Sequence, residues 1–281
     1  MEVSPVWAEH PLKDQIWRTA RLAAIRCFGD NRVVEATAAP FGLTFKGRAA
    51  DCIARHIYRF GCHEPVLTRY VMSHVRLRSG DVALDVGANI GWYTLLLDRL
   101  GQPGADVFAF EPDPENYGFL LENLRSNKAR HVTAIDAAVG DAPGTLTLNR
   151  YKKSNGGRHT LVPGGNRSGG TVAVRVTTLT QFWEERGLGN RPLRFLKVDV
   201  EGYEHFVLQG AQELLQRCRC VSLEFSATGI RSAGMDPAHV IDLIVDAGFD
   251  VRCWSGDLLA TMDLGELREA AGQFDLLLLR E

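Results

Sequence analysis

Val82-Ala-Leu-Asp85-Val-Gly87-Ala88-Asn89-Ile-Gly91 is the stretch whose reading decides the fold. Apolar strand formers run into an acid and two glycines, and the helix-forming Trp92-Tyr-Thr-Leu-Leu-Leu97 follows at once. That order spells a strand, a tight turn and a helix N-terminus, the unit with which an α/β sheet cradles a nucleoside. Glycine lets backbone and ligand approach where a Cβ would intrude, and the first helical turn leaves N–H groups without intrahelical partners. A glycine turn also serves plain βα connections, and Asp85 could simply cap the helix. The residues beyond the turn therefore have to decide.

The spacing is D-x-G-x-x-x-G rather than the G-x-G-x-x-G of dinucleotide binders, and Asp85 stands where a pyrophosphate would approach. Two like charges about 4 Å apart repel by roughly 4 kcal/mol at an effective dielectric near 20, so a cationic ligand is favoured over an anionic one. The next strand-like run, Asp106-Val-Phe-Ala-Phe-Glu111-Pro112, ends in an acid about 20 residues past the turn, where a carboxylate can accept ribose hydroxyls. An adenosine with a positively charged tail suits both acids, and S-adenosylmethionine is that molecule. Capping by Asp85 would not also require Glu111.

Outward from this turn, strand and helix patterns alternate. Strands are expected at residues 82–86, 107–110, 131–137, 195–200, 221–225, 251–254 and 274–279. Helices are expected at 91–100, 114–126, 203–216, 237–247 and 264–271. The alternation specifies an α/β fold with a mostly parallel sheet covered on both faces. The short connection before the last strand permits that strand to be antiparallel. Two further strand-like runs, 145–149 and 171–176, flank a glycine-rich basic segment and read as a hairpin-like excursion with a long tip. Residues 1–80 read as a helical N-terminal extension or cap, with a short strand near 43–46, and residues 81–281 as the main Rossmann-like domain.

A chain of 281 residues can bury one sizeable core. Its formal net charge of −2 gives no support for a nucleic-acid surface, and none is expected as a partner. The six cysteines show no C-x-x-C pair and read as free thiols, with Cys218 and Cys220 as packing residues. The opening residues lack a basic n-region followed by an apolar one, and no apolar run approaches a transmembrane length, so a cytoplasmic location is expected. Residues 12–28 combine Ile16, Trp17, Leu22, Ala23, Ala24, Ile25 and Phe28 with Lys13, Arg18, Arg21 and Arg26. This basic amphipathic pattern suits a membrane surface, or a helix packed on the main domain or on a second subunit of a homo-oligomer; packing is the preferred reading.

The second constellation is Phe195-Leu-Lys197-Val-Asp199-Val-Glu201-Gly202-Tyr-Glu204. In an extended strand Lys197, Asp199 and Glu201 would share one face, and Glu224 ends the next strand at the same sheet edge. That edge is where open α/β sheets bind ligands. Buried charges there are costly without purpose, although a Lys197–Asp199 ion pair that merely ties strands together is the competing explanation.

Together these pieces resemble the FkbM family of S-adenosylmethionine-dependent methyltransferases. They are Glu64 in Gly61-Cys-His-Glu-Pro65, the glycine turn with Asp85, Phe110-Glu111-Pro112, Asp136-Ala137-Ala138-Val-Gly140-Asp141, Leu196-Lys197-Val-Asp199-Val-Glu201-Gly202-Tyr-Glu204, and Glu224. The resemblance spans about residues 55–230, and K-x-D-x-E-G-x-E is its family-specific part. It implies a class I methyltransferase sheet of seven strands with the last antiparallel, and methyl transfer to a hydroxyl of a sugar, glycan or secondary metabolite. It also implies that Asp85, Gly87, Ala88, Asn89 and Gly91 hold the cofactor's methionine end, Glu111 the ribose, and Asp136 with Ala137 the adenine. Glu64 and Pro112 join them as candidate cofactor residues.

An alcohol is a poor nucleophile while protonated, so a general base is expected. Glu201 or Asp199 is the candidate, with Lys197 orienting the pair and Glu224 completing the catalytic set. No resident metal is expected; magnesium held by Asp199, Glu201 and Glu224 ranks below a metal-free base. His159, with Lys152 and Arg158 on the basic tip, suits either a lid over the acceptor or a solvated loop. Three alternatives stay open: an N-methyltransferase, which needs no strong base; a nicotinamide oxidoreductase, which Asp85 and the missing third glycine disfavour; and a cofactor-binding protein without chemistry, such as a scaffold or sensor. The acceptor's identity is not written in any of these patterns.

Overall fold

The structure, a computed structural model, describes residues 11–27, 29, 32–151, 159–164 and 168–280. The opening residues 1–10, Phe28, and the basic tip from Lys152 to Arg158 lie outside the described residues.

The chain opens with α1 (Leu12–Cys27), then a hairpin of β1 (Val33–Ala38) and β2 (Leu43–Arg48), then α2 (Cys52–Phe60) and α3 (Pro65–His74). The first 80 residues are thus not wholly helical, because alternate positions of β1 are buried and its register pairs Val33 with Arg48 through to Ala38 with Leu43. Asp51 starts α2 by accepting from Ile53 N and Ala54 N, and left-handed Gly61 ends it.

The main sheet begins with β3 (Val82–Val86), α4 (Trp92–Leu100), β4 (Asp106–Phe110), α5 (Pro114–Ser126) and β5 (Val132–Ile135). The excursion follows as β6 (Ala138–Val139), β7 (Gly144–Asn149) and β8 (Thr171–Thr177). The chain then returns through α6 (Leu179–Glu185), β9 (Leu193–Val198), α7 (Glu204–Gln209), α8 (Gln212–Leu215), β10 (Cys220–Ser226), α9 (Ala227–Ser232) and α10 (Pro237–Asp246). It closes with β11 (Asp250–Ser255), β12 (Leu258–Thr261), α11 (Leu264–Glu269) and β13 (Gln273–Leu279).

The central order is β12-β11-β13-β10-β9-β3-β4-β5. β5, β4, β3, β9 and β10 are mutually parallel, while β13 runs antiparallel between β10 and β11. This is an α/β fold with a mostly parallel sheet. It has eight strands where seven were expected, because Gly256-Asp257, with Gly256 at φ 61, turns β11 back on itself as β12. The helix expected over 203–216 is divided as α7 and α8. At Gly210 a Cβ would lie 2.1 Å from the Gly140 carbonyl oxygen, so a second chain segment crosses there.

Every residue of β3 is buried, as a central strand covered on both faces requires. Val82, Leu84 and Val86 pack on one face with Leu196, Val207 and Leu223. Ala83 faces the other way, into a core shared with Phe45, Ile57, Leu67, Leu95 and Phe195. Residues on both sides of position 80 share that core. No helix among the described residues is long and apolar enough to cross a membrane, and all six cysteines are free thiols.

Candidate active site

The turn after β3 is pressed against the chain leaving β9. Gly87 has φ 86, and a Cβ there would lie 1.9 Å from the Asp199 carbonyl oxygen. Gly87 N and Ala88 N both donate to the Phe110 carbonyl, at 3.0 and 2.9 Å, which seats the turn on the end of β4. Asn89, left-handed at φ 51, donates its N–H to Glu111 Oε2 at 2.8 Å. Glu111 Oε1 accepts from Asp113 N at 2.9 Å. Burial pushes the Glu111 carboxyl up to about 8 against these two backbone donors.

A cleft opens beside this turn. Of the residues singled out in the sequence, Gly87, Asn89, Glu111, Pro112, Ala137 and Asp199 line it. Its far wall is built by the excursion, through Leu148, His159 and Leu161. Asp85 is not on this wall. It is 1% exposed and accepts from Thr94 Oγ1 at 2.5 Å, because as an inward position of a central strand its side chain is covered by α4. Ala88, Gly91, Glu64 and the exposed Asp136 also lie off the cleft wall.

Behind the turn, Lys197 is buried with its Nζ 2.5 Å from Asp199 Oδ2 and 4.9 Å from the centre of the Tyr93 ring. Burial alone would favour the neutral amine; Asp199, Glu64 and Asp85 outweigh it and push the pKa above the ordinary lysine value. Glu64, left-handed at φ 44, accepts from Tyr93 Oη at 2.7 Å and faces His63 Nε2 at 3.2 Å. Burial would raise its pKa, but His63, Lys197 and the Tyr93 hydroxyl hold it well below the carboxylate range. Asp85 is raised by burial, with Lys197 and Thr94 opposing. One ammonium thus serves several acids.

Asp199, Glu201 and Glu224 bring carboxylate oxygens within 4.8 Å of one another. Strand alternation accounts for only part of this. β9 ends at Val198, and Glu201 arrives through a left-handed turn at φ 51, not as the next same-face position of a strand. Such a set has the oxygen donors that a divalent cation takes. Without a cation, adjacent like charges resist joint ionisation. Burial first, then Asp199, Glu201 and Glu204, push Glu224 up to about 11. Its register partner on β13 is another acid, Asp275.

Several participants carried no sequence signal of their own. Glu204 stands in the sequence only as the end of a motif; it is fully buried, accepts from Gly202 N at 2.7 Å and is pushed up to about 8 by burial. Thr160 donates its hydroxyl to the Glu201 carbonyl at 2.7 Å, tying the excursion to the turn. Arg150 Nε lies 2.7 Å from Asp113 Oδ2, fastening the same excursion to the start of α5. His159 Nδ1 accepts from Tyr151 N at 3.1 Å, a bond that requires the neutral ring; burial lowers its pKa in the same sense, with Asp113 opposing. It faces the cleft, whereas the basic residues expected beside it lie outside the described residues.

A family model described as the methyltransferase FkbM domain matches residues 85–251. Methyltransferase sdnD of Sordaria araneosa is 31% identical over 218 residues, covering 67% of this chain and 81% of that protein. The 31-O-demethyl-FK506 methyltransferase FkbM of Streptomyces tacrolimicus is 30% identical over 214 residues, 64% of this chain and 77% of its own. The hexuronic acid methyltransferase AglP of Haloferax volcanii is 33% identical over 168 residues, 59% of this chain and 62% of its own.

Proposed function

The chain belongs to the FkbM methyltransferase family, and we propose that it carries a methyl group from S-adenosylmethionine to a hydroxyl of a sugar, glycan or secondary metabolite. The observation that carries this reading is the double position of Asp199, which stands on the cleft wall and within the acid cluster. Cofactor cleft and proton-handling groups therefore meet at one residue.

The donor set suits the cofactor. Gly87 lets the turn close on the Asp199 carbonyl, which sets that edge of the cleft, and Glu111 uses one acceptor site on each oxygen for a backbone N–H. The Asn116 side chain takes a further acceptor site, and what remains of the Glu111 carboxyl, which lines the cleft, is left for a ribose hydroxyl. Asn89 borders the methionine end, Ala88, Gly91 and Asp85 act on it from behind the cleft wall, and Pro112 and Ala137 border the adenine, with Asp136 only adjoining Ala137 in the chain. Glu64 acts indirectly, through Lys197. When bound, S-adenosylmethionine supplies a methyl on a sulfonium for in-line displacement by the acceptor oxygen.

The acceptor's proton goes to Glu201. Glu224 keeps its own proton at neutral pH, and Asp199 is committed to Lys197 at 2.5 Å. Glu201, within 4.8 Å of both, is the base in this reading, and Lys197 fixes Asp199 beside it.

The decisive experiment is calorimetric titration with S-adenosylmethionine, S-adenosylhomocysteine and NADH, followed by turnover on hydroxylated acceptors. Both adenosyl ligands should bind, NADH should not, and Glu111→Ala should weaken both by at least about tenfold, the loss of one or two hydrogen bonds. Binding of NADH alone would overturn the reading. Glu201→Gln should keep cofactor affinity and lose about 10²–10⁴ in turnover; full turnover would remove it from the base role.

A further inference from the structure

α1 turns its more apolar side away from the protein. Its inward stripe is Leu22 with the half-buried Gln15, Arg18, Thr19, Ile25 and Arg26, and Arg18 Nη1 donates to the Tyr58 carbonyl at 3.1 Å. Outward stand Leu12 at 71% exposure, Ile16 at 63% and Trp17 at 61%, followed one to two turns later by exposed Ala20, Ala23 and Ala24. A surface helix normally shows the reverse arrangement.

We propose that this face docks on the same face of a second copy of the chain, the two α1 helices antiparallel about a two-fold axis near residues 17 and 18. The large residues occupy the first half of the helix and the small ones the second. Antiparallel pairing therefore lays Leu12 over the partner's Ala23 and Ile16 beside the partner's Ala20, those two bulks each meeting a space, while Trp17 stands next to its own copy at the axis.

Charge selects the same register. Asp14 and Arg21 are seven residues apart, on one side of the helix and about 10 Å apart along its axis, too far to pair within it. About that two-fold axis Asp14 stands opposite the partner's Arg21, and the pair occurs twice. Arg21 is already placed by stacking 5.3 Å over the Trp17 ring. Lys13 falls near the end of the overlap, where its stem covers apolar surface and its ammonium reaches water.

Two helices of 16 residues, each about 24 Å long, cover on the order of 800–1,000 Å² together, at the lower edge of specific interfaces. The dimer should therefore be weak and concentration-dependent. A bilayer would take up Leu12, Ile16 and Trp17 but gain little from the three alanines, whereas a second copy uses both halves.

Sedimentation equilibrium of the full chain over a wide concentration range tests this. The wild type should pass from monomer to dimer, and Ile16→Glu should stay monomeric with unchanged helical circular dichroism. Asp14→Arg and Arg21→Asp should each weaken the dimer about fivefold, and the double variant should recover it, the signature of a charge pair across copies. A monomer at every concentration, a dimer untouched by Ile16→Glu, or a double variant as weak as the singles would overturn the proposal. So would a monomer that sediments with phosphatidylglycerol vesicles and loses them on Ile16→Glu, which would assign the face to lipid.

Discussion

Gly87→Ala separates the two demands made on the glycine turn, backbone conformation and space. Gly87 and Gly80 have nearly the same backbone angle, φ 86 and 87, but a Cβ on Gly80 meets nothing within 4 Å while one on Gly87 falls 1.9 Å from the Asp199 carbonyl oxygen. Gly80→Ala therefore reports the left-handed penalty alone, about 1–2 kcal/mol. Gly87→Ala adds a collision with backbone, which must retreat by more than about 1 Å to reach an ordinary contact. The bond from Asp199 N to the Val86 carbonyl, 3.1 Å long, is the first to go, at about 1 kcal/mol. We expect Gly87→Ala to lose about 2–3 kcal/mol in urea unfolding at unchanged m, at least about 1 kcal/mol more than Gly80→Ala. The same retreat carries Asp199 off the cleft wall, so S-adenosylhomocysteine binding should fall at least about tenfold in Gly87→Ala and hold in Gly80→Ala. If the two variants agree within about 0.5 kcal/mol, a difference no larger than that of a neutral surface change, and both bind normally, then the approach of Asp199 is not what requires a glycine.

Lys197→Met should cost about 3–5 kcal/mol, since Asp199, Glu64 and Asp85 lose their shared cation. Their carboxyls would then hold protons more tightly folded than unfolded, so the loss should be larger at pH 8 than at pH 5; equal losses would refute the ionic account. Glu204 is raised from 4.5 to about 8, so its contribution to stability is complete below about pH 4.5 and is lost as pH rises toward 8. Glu204→Gln should flatten the wild type's decline in urea midpoint across that window by the equivalent of a few kcal/mol, and an unchanged slope would mean that Glu204 ionises freely. Turnover should survive exhaustive chelation; a loss restored by magnesium would instead make Asp199, Glu201 and Glu224 a metal site.

What the sequence made legible was what local pattern determines. The strand 82–86 matches β3 at both ends, and helix 114–126 matches α5, because uninterrupted apolar residues and a strong Asp113-Pro114 start leave little choice. β12 has no long apolar run of its own to mark it, and only the Gly256-Asp257 turn that folds the chain back makes it a strand. In the site, the pairing of Lys197 with Asp199 follows from two-residue alternation. The position of Glu201 does not, since it depends on a left-handed residue just beyond the strand. The retreat of Asp85 from the cleft is a matter of depth, set by how α4 covers β3, and no spacing rule carries depth. The remaining participants, Thr160, His63 and Tyr93, join through contacts between distant segments, which only the assembled fold displays.

The hydroxyl of Thr160 holds the carbonyl of Glu201, and its neighbours His159 and Leu161 form the cleft's far wall. The segment that gives the cleft its contour is therefore also the brace for Glu201, the proposed base. On that proposal, substrate range and catalytic competence are not separately tunable. Exchanging this loop for that of a relative, to admit a different acceptor, would disturb the chemistry unless the graft carries its own hydroxyl to the same carbonyl, and selection for new acceptors faces the same constraint.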